Sequence, residues 1–269
     1  MSTFGPPTAG SGELHRIALA ARHGDRDAAW RRLKNAALAL GAVYAVSLAA
    51  FGLLAYHFET GLATPIAAAL LLLAIFAIVI RSLPGHPHER FGPANIITAI
   101  RASLTSFFGA AILFAEPAAE ADPLLTWLIV IVILALALDG IDGNLARRTG
   151  LQSSLGTRFD MEVDALLILL LSVAAFLLGK AGIWVLAIGL MRYGFVLGQI
   201  CLPFLTAPLP PSFLRKLICV VQVAALCLIL APAIAPPVST AIAATALILI
   251  TYSFGVDVFG LARRRYRRP

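Results

Sequence analysis

Apolar runs of about 20 residues alternate with short polar breaks along almost the whole chain. They cover roughly 36–57, 62–80, 95–115, 123–143, 158–179, 182–204, 214–234 and 238–261. A helix of about 20 apolar residues crosses about 30 Å of hydrocarbon, because each residue rises about 1.5 Å. Inside lipid the backbone must bond to itself, which leaves helices as the form for such runs. The pattern predicts an all-α polytopic membrane protein with about eight transmembrane helices. The breaks at Glu59-Thr60-Gly61, Gly179 to Gly182 and Pro232 to Pro237 are short. Helices joined by such breaks are expected to be antiparallel neighbours.

Composition supports this reading. The chain has 269 residues, 60% hydrophobic and 13% charged, with mean hydropathy +0.90. A soluble domain would carry about a quarter charged residues. The formal net charge is +7. Arg31, Arg32 and Lys34 precede the first run, Arg81 and Arg90 follow the second, and Arg147 and Arg148 follow the fourth. Arg215 and Lys216 open the seventh, and five arginines follow the eighth. With eight spans all of these fall on one side, while Glu59, Glu116, Glu120 and Asp122 fall on the other. Lys180 is the one basic exception. The positive-inside rule then puts both termini and the Asp139–Asp164 hairpin in the cytoplasm, so a bacterial chain would lie in the inner membrane. The basic side also suits anionic headgroups. Nucleic acid is not an expected partner, because the basic groups are split among loops.

The N-terminal region is different. Residues 1–11 are rich in Gly, Pro, Ser and Thr and are expected to be disordered. The opening Met-Ser-Thr-Phe-Gly-Pro-Pro lacks a basic n-region leading into an apolar stretch, so no cleavable signal peptide is expected. Residues 12–34 mix apolar and basic positions. They read either as an interfacial helix broken at Gly24 or as a solvated basic leader. Cys201, Cys219 and Cys227 lie in or beside apolar runs without ligand spacing, and read as packing residues.

Asp139-Gly-Ile-Asp142-Gly-Asn-Leu-Ala-Arg ends the fourth run, and Gly156-Thr-Arg-Phe-Asp160-Met-Glu-Val-Asp164 opens the fifth. Asp139 and Asp142 are three apart and Asp160 and Asp164 four apart, so each pair shares a helix face. A short connection brings the pairs together. Four close carboxylates repel unless cations intervene, and hard divalent ions answer that need. Gly140, Gly143 and Ala146 leave one helix bare for a bulky group. Arg147 can donate to a phosphate or a base. Ser153, Ser154 and Gly156 shape the connection, and Glu162 is expected to pair with Arg158 four residues earlier. The competing readings are a turn at Asp-Gly and a proton- or ion-coupled transporter that uses the Asp cluster as a cation site.

The pattern Asp139-x2-Asp142-Gly143-x2-Ala146-Arg147-x8-Gly156-x3-Asp160-x3-Asp164 resembles the signature of the CDP-alcohol phosphotransferases at all eight fixed positions. The resemblance covers the last six runs and implies a six-helix catalytic core over 91–262. It leaves a basic leader at 1–35, two additional helices in 36–90 and a basic tail at 263–269. It implies displacement of CMP from a CDP-linked alcohol by a hydroxyl acceptor, with transfer of a phosphatidyl or related phospho-alcohol group in phospholipid biosynthesis. CDP-diacylglycerol is the favoured donor because the site lies at the edge of the hydrocarbon layer, where acyl chains can stay in the bilayer. Asp139, Asp142, Asp160 and Asp164 would hold Mg²⁺ or Mn²⁺, two ions in all, with Asp164 also the base. Gly143, Ala146, Arg147, Ser153 and Gly156 would line the CDP-alcohol site. A homodimer is also implied. Met161-Glu162-Val163 departs from what many members carry between the last two Asp.

Pro93-Ala-Asn95-x2-Thr98-x2-Arg101 resembles another stretch common in that family. Asn95 and Thr98 would face the nucleotide or, equally, cap the helix. Arg101 would offset the carboxylates, meet a phosphate, or snorkel. Arg192 lies deep in the sixth run, which is costly without a polar cavity. With Arg215 and Lys216 it is a candidate for holding an anionic acceptor; Asp257 would pair with one of these cations.

Overall fold

A computed structural model describes residues 11–83, 91–115, 123–149, 153–207 and 212–266; side chains at 11–28, 141–149, 216 and 264–266 lie outside that description. The expected disorder of residues 1–11 falls almost entirely outside it. Eight long helices follow one another, with no strand among the described residues. They are α1 (Ser11–His57), α2 (Ala63–Arg81), α3 (Pro93–Phe114), α4 (Pro123–Thr149), α5 (Ser154–Leu177), α6 (Leu186–Cys201), α7 (Phe213–Leu230) and α8 (Val238–Tyr266). Short 3-10 turns flank α6 at Ile183–Val185 and Pro203–Thr206.

Seven of the helices are long and apolar enough to cross a membrane. The exception, α5, spans 24 residues but carries Arg158, Asp160, Glu162 and Asp164 in its first three turns. It packs against α3, α6 and α7, so its charged half meets protein on several sides. Large side chains such as Ile133, Ile200 and Phe259 face outward, as lipid-facing residues do.

Two local features differ from expectation. α1 runs unbroken through Gly24. A glycine costs only about 1 kcal/mol relative to alanine in a helix interior, too little to interrupt a helix continuous with a membrane span. The exceptional Lys180 has a structural task. Its Nζ donates to the carbonyls of Ala231 and Ile234 at 3.2 and 2.8 Å, and its own carbonyl accepts from Ser239 Oγ at 2.6 Å. It ties the α5–α6 turn to the α7–α8 turn and satisfies carbonyls at the end of α7.

α3 lies at the centre and touches α1, α2, α4 and α5. Its small and hydroxyl residues allow this: Ala99, Ala102, Ser103, Thr105, Ser106, Gly109, Ala110 and Ala111 are all buried. Without a hydrophobic drive between helices in lipid, close packing through small residues holds them together. α1 joins α3 through Ser103 Oγ donating to Ser47 Oγ at 2.7 Å and through the stacked rings of Phe51 and Phe107. α6 approaches α5 closely at Gly189, where a Cβ would lie 2.4 Å from the Leu169 Cα.

Candidate functional site

Helix ends position the acidic groups. Ser153 caps α5, its Oγ accepting from the Gly156 N–H at 3.0 Å, and so fixes where the helix starts. Asp160 and Asp164 then lie in its second and third turns. Asp139 sits on α4, and Arg101 two turns into α3, which begins with Pro93 at its first position after Gly92 at φ 81°.

One oxygen from each of Asp139, Asp160 and Asp164 lies within 4.8 Å of the other two. Arg101 bridges all three. Its Nη1 is 2.9 Å from Asp139 Oδ1 and donates to Asp160 Oδ1 at 2.5 Å, while Nη2 donates to Asp164 Oδ1. Arg101 is 1% exposed, so it offsets the carboxylates and does not snorkel. The three Asp side chains are each about one-third open or slightly less, at 30%, 35% and 27%, so the cluster faces an accessible opening. One guanidinium against three carboxylates leaves two negative charges. A hard oxygen donor set with that excess fits a divalent cation of the Mg²⁺ or Mn²⁺ type. Asp142, Gly143, Ala146 and Arg147 belong to α4, but their side chains lie outside the described ones.

The remaining candidates separate into two groups. Asn95, Ser153 and Gly156 gather where α3 meets the start of α5, and Thr98 lies one turn further along α3. Asn95 and Thr98 are buried and donate to backbone carbonyls four residues earlier, Asn95 Nδ2 to that of Phe91 just before α3 and Thr98 Oγ1 to that of Ala94 at 3.1 Å. A Cβ at Gly156 would lie 2.5 Å from Asn95 Oδ1 and 3.2 Å from Ser153 Oγ. Glycine at this position thus permits the α3–α5 approach.

Arg192 and Arg215 have carboxylate partners. Arg192 Nη2 donates to Glu162 Oε1 at 2.5 Å. The expected Arg158–Glu162 pair gives way to this contact between helices, because α6 brings a second arginine against the same face of α5. That face is turned about 200° from Asp160 and Asp164 at 100° per residue. Arg215 Nη1 donates to both oxygens of Asp257 at 3.1 Å, the pairing anticipated for Asp257. The Lys216 side chain lies outside the described ones. One neighbour went unsuspected: Cys219 of α7 lies within electrostatic reach of Asp164, Asp139, Asp160 and Arg101. Its spacing from those residues gives no sign of this; only the packing of α7 on α5 reveals it.

The CDP-alcohol phosphatidyltransferase family profile matches residues 91–256. No curated protein and no solved structure matches the chain. The matched stretch spans more than half of the sequence and includes every residue of the acidic cluster, so the chain belongs to the CDP-alcohol phosphatidyltransferase family and is an integral-membrane phosphotransferase of lipid synthesis, moving a phospho-alcohol group from a CDP-alcohol to a hydroxyl acceptor.

Proposed function

We propose that the donor is CDP-diacylglycerol and that the transferred group is phosphatidyl. The observation that carries this reading is the convergence of Asp139, Asp160 and Asp164 at helix ends in a membrane-embedded bundle. A donor whose acyl chains stay in the bilayer can present its diphosphate there. The acceptor hydroxyl attacks the phosphorus that bears the diacylglycerol. The bond from that phosphorus to the oxygen of CMP breaks, and CMP leaves. The hydroxyl proton passes to Asp164, whose Oδ1 is held by Arg101. Asp139, Asp142, Asp160 and Asp164 would hold two Mg²⁺ or Mn²⁺ ions, which supply charge neutralisation at the diphosphate. Gly143, Ala146, Arg147, Ser153, Gly156, Asn95 and Thr98 form the nucleotide side of the site. Arg192, Arg215 and Lys216 are assigned to an anionic acceptor, and the ion pairs of the first two would then have to open. The catalytic core is 91–262 and faces the cytoplasm, the inner-membrane side of a bacterial cell, and the working unit is a homodimer.

The test is CMP release by purified protein with Mg²⁺ or Mn²⁺, CDP-diacylglycerol and a panel of hydroxyl acceptors. The expected result is metal-dependent CMP release with at least one acceptor. A folded protein that releases no CMP with any of them, yet drives ion-coupled uptake in vesicles, would replace this reading with a transporter.

A further inference from the structure

On the side of α5 away from the carboxylates, α2, α5 and α6 enclose a cavity of about 570 Å³. That volume is in the range of small-molecule sites. Its walls are mostly apolar, with Ile75, Ile78 and Val79 from α2 and Phe159, Val163 and Leu166 from α5. Polar groups gather where α2 ends and α5 begins. Ser82, Ser154 and Arg158 line that part, and Glu162 lines the cavity further along α5. Glu162 is already neutralised by Arg192. Arg158 is exposed and makes no ion pair with any described residue. Among the described residues the lining therefore carries the Arg158 charge beside the hydroxyls of Ser82 and Ser154 at one end, and a mainly apolar wall beyond, broken by the paired Glu162 and by Tyr193.

We propose that this groove is a binding site for an anionic phospholipid of the surrounding bilayer. The phosphate meets Arg158, Ser154 and Ser82, and an acyl chain runs along Ile78, Val79, Phe159 and Val163. Charge complementarity selects the occupant, because basic pockets between transmembrane helices favour anionic headgroups. A second copy of the chain, packed about a two-fold axis on this face, would set Arg158 close to its own counterpart. The site is separate from the acidic cluster, since Asp160 and Asp164 contact Arg101 on the other side of α5. One wall comes from α2, which lies outside the family match at 91–256. This gives α2 a task, and the claim does not depend on which donor the enzyme uses; it applies to the chain without acceptor, in which the Arg192–Glu162 pair is closed.

The experiment is native mass spectrometry of the full chain released from nanodiscs of phosphatidylglycerol or of phosphatidylcholine. Two variants are compared with the parent chain, Ile78→Trp to fill the apolar part and Arg158→Gln to remove the charge. Ile78 is 63% exposed, so the larger side chain has room to be accommodated. The expected result is one retained phosphatidylglycerol per chain, with phosphatidylcholine retained more weakly. Ile78→Trp should abolish retention, and Arg158→Gln should weaken phosphatidylglycerol about fivefold, the value of one arginine–headgroup contact. No retained lipid in the parent chain, equal retention of both lipids, or an unchanged Arg158→Gln would overturn the proposal. If Ile78→Trp does not fold, the Arg158→Gln comparison decides alone.

Discussion

At the scale of single residues, Arg101 and Asp164 make opposite demands on the same cluster. Arg101 is the counter-charge of three carboxylates inside a helical bundle. Removing one partner of a buried ionic network leaves the others uncompensated, at a cost of about 3–5 kcal/mol. Arg101→Ala should therefore lower the thermal unfolding midpoint in detergent, and added Mg²⁺ should restore more of that loss than it adds to the parent chain. Equal Mg²⁺ shifts in both proteins would show that the carboxylates do not share one electrostatic site. Asp164→Asn removes a proton acceptor while keeping shape. CMP release should fall about 10²–10⁴-fold, the usual contribution of a general base, with nucleotide binding kept. Turnover within a few-fold of the parent would exclude Asp164 as the base. The spacing of the motif foretells that the Asp pairs can converge, because each pair shares a helix face and a short connection joins the two helices. The sequence offers Arg101 as a counter-charge but does not choose between that role, a phosphate contact and snorkelling. That depends on how α3 crosses α5, 59 residues away along the chain. Nor does it foretell the choice of Arg192 over Arg158 by Glu162, since two arginines compete and only the α5–α6 packing decides.

At the scale of helices, glycines set the distances on which the site depends. Gly156 and Asn95 touch where α3 meets the capped start of α5. Gly156→Ala pushes its Cβ into Asn95 Oδ1 and should displace the first turn of α5, and with it Asp160. Trimming Asn95 to Ala should recover part of the loss. We expect a coupling of about 0.5–3 kcal/mol between the two substitutions in a double-mutant cycle read by CMP release. Strict additivity would mean that Asn95 acts on the nucleotide and not through Gly156. Gly189 offers a control away from the chemistry. Its Cβ would meet the Leu169 backbone, which cannot swing aside as a side chain can. Gly189→Ala should lower stability by about 1–3 kcal/mol through overpacking, seen as a lower unfolding midpoint. Helix positions were legible from hydropathy because apolar run length is set by bilayer thickness. Which glycines are contact points was not, because that depends on crossing geometry between segments remote in sequence.

At the scale of the molecule, the question is what α1 and α2 contribute to a core that the family profile places at 91–256. They contact α3, the helix that carries Arg101. In lipid, exposing an apolar face costs little, because acyl chains replace the lost neighbours. The cost of removing them must come from packing and polar satisfaction. Ser103 would lose its hydrogen bond to Ser47, and Phe107 its stack on Phe51. A hydroxyl in a helix can turn back to its own carbonyls, as Ser106 already does to Ala102 at 2.7 Å, so the Ser103 loss is modest. A chain beginning at residue 91 should therefore still insert and release CMP, but with a lower unfolding midpoint and an α3 that holds Arg101 less firmly. Ser47→Ala in the full chain should reproduce only a small part of that change, about 0.6 kcal/mol as for other hydrogen bonds between membrane helices. If the truncated chain matches the parent in midpoint and turnover, α1 and α2 serve another purpose. If it inserts but binds no donor, they form part of the catalytic unit, and the core must be drawn to include them.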